Sequence, residues 1–218
     1  MSLTRLLSRT THNLALAVTL VSVPWLAGCN VIGAVAYKAV GPHKVPAEHT
    51  LPTTRPVLLL VENYQRGTLQ SSSDELAHLV AAEVIGHKAG ILVPQDELLK
   101  LRTDHADEFN HLKIQEIGQK LGAAEIIYVN LVELNVAALP ASEMLQGRIA
   151  ATVRVIDVES GKTLWPSIGA DREFKADTEF IRKANVDSVM AMQSQMLQDL
   201  AVPIGQLFYK YAAADDSK

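Results

Sequence analysis

The chain has 218 residues, of which 48% are hydrophobic, 20% charged and 5% aromatic. That suffices for one ordinary globular domain or two very small ones, and the apolar share excludes wholesale disorder. A formal net charge of −4 implies no strongly basic face, so nucleic acid is not an expected partner, and a single cysteine excludes an internal disulfide or a multi-thiolate metal site.

Residues 1–28 read as an export signal. Arg5 and Arg9 form a short positive start, Leu14 to Leu26 is almost wholly apolar, and the segment ends in Leu26-Ala27-Gly28-Cys29. Small residues before a cleavage point let the backbone lie extended in a peptidase groove. The tetrapeptide resembles the lipobox of bacterial lipoproteins. That resemblance implies cleavage before Cys29 and a diacylglycerol thioether on its sulfur, so that the membrane is reached through the lipid. Three other fates compete for this segment: a buried structural thiol, a catalytic cysteine, and an uncleaved membrane span. No folded scaffold precedes the thiol, and Pro24, Gly28 and Asn30 interrupt the span. Two or more acyl chains anchor stably where one would be marginal. Loss of 1–28 would remove Arg5 and Arg9 and no acid, leaving 18 cations against 24 acids, a charge of −6. An acidic domain gains nothing from anionic lipid. The expected location is the cell envelope, facing the periplasm. Asn30 in place of an aspartate after the cysteine mildly favours the outer membrane.

Residues 29–54, with Gly33, Gly41, Pro42, Pro46 and Pro52, read as a tether. A flexible chain of that length has an end-to-end distance of about 25–30 Å. Val31 to Val40 is more apolar than a pure linker, and the sequence leaves its role open. Residues 55–212 form the predicted globular domain. Val57 to Val61 is an uninterrupted apolar run, as expected of a strand buried on both faces. Ser72-Ser73-Asp74-Glu75 supplies a cap and first-turn acids for a helix over 73–88, which Gly90 ends. Ile91-Leu92-Val93 suggests a short second strand, and Pro94-Gln95-Asp96-Glu97 opens a helix to about Leu101. Asp104 or Asp107 caps a further helix through Lys120, with Leu112, Ile114, Ile117 and Leu121 inward and Gly122 as its stop.

Ala124 to Val136 is the strongest strand pattern, and Arg148 to Val158 alternates as an exposed antiparallel strand should. Glu159-Ser160-Gly161-Lys162 is a hairpin turn, with Thr163-Leu164-Trp165 returning. Val186 to Tyr211 has helical spacing, and Pro203 is expected to kink or split it after Val202. Residues 213–218 read as a disordered tail. The fold class expected is α/β, a mixed parallel and antiparallel sheet packed against helices, with a C-terminal helix.

Two segments carry a family resemblance. Ile114-Gln115-Glu116-Ile117-Gly118-Gln119-Lys120-Leu121-Gly122-Ala123-Ala124 leads into Glu125-Ile126-Ile127-Tyr128-Val129, and Val153-Arg154-Val155-Ile156-Asp157-Val158 leads into Glu159-Ser160-Gly161-Lys162. Both resemble elements of the TolB N-terminal domain, of lipoprotein activators of penicillin-binding proteins, and of the curli secretion lipoprotein. The resemblance covers roughly residues 55–170 and the last helix by position. It implies a TolB N-terminal-like fold without enzymatic activity that binds other envelope proteins. Its residues are architectural: Gly122 lets a strand follow a helix at once, and Asp157 with Gly161 shapes the turn. No pair of long alternating segments suits a pore's membrane hairpins.

Residue patterns that could carry chemistry are few. His105 and His111, with Asp104, Asp107 and Glu108, form one cluster, but six-residue spacing does not place two imidazoles on one helix face. His78 and His87 read as surface residues. Asp157 and Glu159 could be paired carboxylates but suit a turn better. Gly118 and Gly122 lack the Lys-Ser/Thr partner of a phosphate loop. Met190, Met192 and Met196 suit core packing better than a groove. The sequence thus predicts no enzyme, no cofactor and no metal, and a protein-interaction or assembly factor with an envelope partner. The alternatives are a ligand-binding accessory lipoprotein of a transporter, and a metal-binding enzyme using His105 and His111.

Overall fold

A computed structural model describes residues 44–63, 70–138, 144–178, 181–182 and 186–213. The chain divides into two units, one of residues 46–211 and one formed by the chain ends. A two-stranded sheet is formed by β1 (Lys44–Val45) and β8 (Tyr211–Ala212).

The larger unit is built on a six-stranded mixed sheet. β2 (Val57–Glu62) pairs in parallel with β3 (Glu125–Ala138), Val57 opposite Glu125 and Glu62 opposite Asn130. β3 pairs antiparallel with β4 (Met144–Asp157) along nearly its whole length. The far side of β4 carries β5 (Thr163–Trp165), β6 (Arg172–Asp177) and β7 (Ile181–Arg182). A bulge between Leu131 and Glu133 resets the pleat of β3. Leu134 and Val136 thereby stay on the apolar face that Leu131 occupies.

Alternation along the strands sorts two cores. Val57, Leu59 and Val61 of β2 point to one face, with Ile127, Val129, Leu131, Val153 and Val155. Helices α1 (Gln70–Gly86) and α5 (Val186–Gln206) cover it through Leu76, Val80, Val84, Met196, Leu197, Leu200 and Ile204. Leu58 and Leu60 point to the other face, with Ile126, Tyr128 and Ile156. There α2 (Gln95–Asp104) and α4 (Ile114–Lys120) bring Leu98 and Ile117, and the single turn α3 (Ala106–Phe109) brings Phe109. Val57 to Val61 are all buried, as the apolar run predicts. Burial of each such side chain stabilises by about 1.5–3 kcal/mol.

Several local expectations are corrected. α1 begins at Gln70, so Ser72 and Ser73 lie inside it, and Ser73 is buried instead of capping. It ends at Gly86, and the residue with positive φ beyond it is Lys88, not Gly90; Gly90 instead lies against Leu51. Ile91–Val93 makes a single parallel bridge, Leu92 to Val57, because the edge of β2 is then taken over by side chains. Gln95 donates to the Leu59 carbonyl at 3.2 Å and Arg102 to that of Val61 at 3.5 Å. Residues 104–120 form two short helices; α4 starts after Lys113, whose N–H is taken by the Glu116 carboxylate at 2.7 Å.

β4 is not an exposed strand: one face is packed in the core along its length, the other joins the second core at Ile156 near its end, and Val153 and Val155 are buried completely. β6 escaped the sequence reading because its alternation (Arg172-Glu173-Phe174-Lys175-Ala176-Asp177) buries only Phe174 and Ala176, and those partly. Pro203 does not split α5, which runs on to Gln206. Only one helix turn follows the proline, and Ile204, Leu207 and Phe208 are buried there, so packing outweighs the one lost backbone bond. Residues 46–54, read as tether, belong to the larger unit, and Leu51, 2% exposed, joins its core. His49 meets the Glu125 carboxylate at 2.9 Å there.

Candidate functional site: a charged cavity on the sheet

At the carboxyl end of β2 the α2–α4 layer stops short of the sheet's far edge. A cavity of about 840 Å³ opens there, within the range of small-molecule sites. This is where α/β sheets commonly carry ligands. Its floor is sheet: Glu62 and Asn63 from β2 and the residue after it, Arg154 and Ile156 from β4. Phe109, Leu112, Ile114 and Ile117 supply an apolar wall, and Arg102, Lys113 and Gln115 the polar rim.

Three side chains of the sheet are linked across adjacent strands. Tyr128 donates its hydroxyl to Glu62 at 3.1 Å, and the Arg154 guanidinium carbon lies 4.9 Å from the centre of the Tyr128 ring. Register explains the set: Tyr128 stands directly opposite Arg154 on β4 and Leu60 on β2. Arg154 also faces Asp171 at 3.6 Å, an ion pair too long for a hydrogen bond. Its Nε is buried and has no hydrogen-bond partner among the described residues. Arg102 lies over Phe109 at 5.3 Å and faces Asp74 at 3.6 Å. Sequence reasoning missed this site. Its only trace is Glu62 at the end of an otherwise apolar strand and Arg154 among the apolar residues 153–156.

The predicted site residues fall elsewhere. Leu26, Ala27, Gly28 and Cys29 lie outside the described residues. Gly122 has φ +66 and ends α4 directly before β3. Asp157 accepts the Ser160 N–H at 2.7 Å and its hydroxyl at 2.5 Å, and these bonds hold its carboxyl below the usual range. Gly161 has φ +69 and lies against Gln115 on the cavity rim. Asp157 and Gly161 flank the turn between β4 and β5.

His105 and His111 are exposed. His105 lies 3.9 Å from Glu108, whose carboxylate is taken by Lys120 at 2.8 Å. That bond keeps the Glu108 carboxyl below its ordinary value. Among the described residues no three His, Cys, Asp or Glu side chains are grouped to hold a metal. His78 and His87 are exposed, and His87 stacks on Tyr209 at 3.7 Å. Met192 and Met196 are core residues, whereas Met190 is exposed. No described helix is long and apolar enough to cross a membrane.

No family model matches the chain, and no curated protein does. Solved structures do. Lipoprotein GNA1162 from Neisseria meningitidis is similar at 14% identity and a TM-score of 0.45, over 69% of this chain and 99% of that one. The PelC dodecamer from Paraburkholderia phytofirmans is similar at 11% identity and a TM-score of 0.40, over 76% and 96%. A minor lipoprotein from Acinetobacter baumannii is similar at 11% identity and a TM-score of 0.40, over 70% and 90%.

Proposed function

We propose that this chain is a lipid-anchored lipoprotein of the bacterial envelope whose α/β domain acts as a protein-interaction or assembly factor and not as an enzyme. One observation carries the reading: the chain's sole cysteine closes Leu26-Ala27-Gly28-Cys29 at the end of a charged and then apolar N-terminus. The resemblance of the Gly122 and Gly161 segments to TolB N-terminal-like domains supports the interaction role. The acyl chains, not the acidic surface, hold the protein at the membrane, and the segment after Cys29 lets the domain reach envelope partners.

Metabolic labelling with an alkyne fatty acid tests the anchor. Label enters the wild-type chain and not Cys29→Ala, and intact mass of native material starts at a modified Cys29. A mass beginning at Met1, or equal labelling of the variant, refutes it. In-cell cross-linking followed by mass spectrometry tests the interaction role; a domain that captures no envelope protein above the Cys29→Ala background refutes that half.

A further inference from the structure

Independently of the anchor, we infer that the cavity between β2, β4 and α2–α4 binds a short peptide with both ends free, its ammonium group on Glu62 and its carboxylate on Arg154. The two charges line one cavity and do not neutralise each other. Glu62 accepts the Tyr128 hydroxyl and makes no other hydrogen bond or ion pair among the described residues. The Arg154 side chain stacks on the same tyrosine and faces Asp171 at 3.6 Å, but it makes no hydrogen bond among the described residues, and its Nε is buried and unpartnered. A buried N–H without an acceptor costs free energy unless something supplies one. A planar carboxylate matches two of its parallel donors.

Tyr128 works as the spacer. It belongs to β3, between the strands carrying the two charges; two strand spacings and the two-residue offset of Glu62 from the Leu60–Tyr128–Arg154 register put their backbones about 12 Å apart. Both charged tips lean onto this one side chain, which shortens the gap, and no ion pair closes it. A peptide of two residues extends about 7 Å, which spans such a gap better than a single amino acid. The remaining surface suits a peptide too. Phe109, Leu112, Ile114, Ile117 and Ile156 form an apolar wall for a side chain. The cavity's 840 Å³ exceeds what one residue would fill.

The full-length chain in a neutral maltoside detergent is titrated calorimetrically with the dipeptide Ala-Phe, with its N-acetyl derivative and with its C-terminal amide. Ala-Phe saturates one site, and each blocked peptide binds at least about tenfold more weakly. In Glu62→Gln the penalty for N-acetylation disappears while that for amidation stays; Arg154→Gln does the reverse. A general loss of folding would remove both discriminations together, and the wild-type ratios stand without either variant. Absence of saturable Ala-Phe binding overturns the assignment, as do blocked peptides that bind as tightly as the free one, or variants that leave both penalties unchanged.

Discussion

Gln115 lies across Gly161. Its Nε2 donates to the carbonyls of Val158 at 2.9 Å and Glu159 at 3.1 Å, and a Cβ added to Gly161 would stand 2.6 Å from its Oε1. The first turn of α4 is thereby fastened to the hairpin that joins β4 to β5, at the rim of the cavity. The two segments that carry the family resemblance are therefore one physical unit, joined where a side chain is absent. Gly161→Ala must place a β-carbon at φ +69, which costs about 1–2 kcal/mol, and must displace bonds worth about 0.5–1.5 kcal/mol each. Urea denaturation is expected to show a loss of about 2–3 kcal/mol. The double variant Gly161→Ala/Gln115→Ala loses less than the two single losses combined, because both remove the same contact. Strict additivity would show that no such coupling exists.

Gly118 makes a second close approach. A Cβ there would meet Ile126 Cδ1 and Val158 Cγ2, each at 2.8 Å, so α4 sits down on the sheet at that point. Alanine would gain about 1 kcal/mol of helix propensity and cost about 1–3 kcal/mol in overpacking against branched core side chains. We expect Gly118→Ala to destabilise by about 1 kcal/mol, in a urea midpoint measurement. Ile126→Val deletes the clashing Cδ1, so the double variant recovers part of that loss. A more stable Gly118→Ala protein would contradict the packing described.

How much was readable in advance follows from how local each signal is. The run Val57 to Val61, the stop at Gly122 and the turn at Asp157–Gly161 each rest on residues adjacent in the chain, and each is in place. The covering of β4 was not readable. Its alternation looks the same whether α2–α4 lie over part of Ile156's face or water does, and only the tertiary arrangement decides. Ser73 looked like a cap because serine before acids usually is one; the helix starts three residues earlier. The cavity needs Glu62, Tyr128 and Arg154 from three strands, and no spacing within the sequence brings them together. His105 and His111 show the converse: they are close in sequence, but both are exposed and no group of three metal-ligating side chains forms among the described residues.

Asp157 predicts a dependence on acid. The bonds from Ser160 favour its charged form, so its folded pKa is lowered relative to the unfolded chain. Its contribution to stability is then complete above about pH 4 and is lost as pH falls through the folded value. Asp157→Asn keeps the shape and one acceptor but not the charge. The wild type is expected to be the more stable at neutral pH, with the two urea midpoints converging as the carboxyl protonates. Midpoints that stay equally far apart down to the lowest pH tested would show that the charge plays no part.

Tyr209 predicts the alkaline limb. Its hydroxyl donates to Glu83 at 2.6 Å and its ring is stacked on His87 at 3.7 Å. Burial first, then the bond to Glu83 and the negative charges of Glu83 and Tyr211, push its phenol well above the ordinary tyrosine value. A group whose folded pKa is raised stabilises fully below its unfolded pKa, about 10, and loses that contribution as pH rises towards the folded value. The wild type should therefore weaken on the alkaline side faster than Tyr209→Phe. At neutral pH the variant loses a hydrogen bond to a carboxylate, about 1.5–3 kcal/mol before the partial exposure of Glu83 reduces it. The difference should shrink above about pH 10 as unfolded chains ionise and folded ones do not. Urea midpoints across the neutral to alkaline range, with tyrosinate absorbance followed in parallel, read both quantities. A tyrosine in the folded chain that ionises with the rest, or a constant gap between the two proteins, would remove Glu83 as its partner.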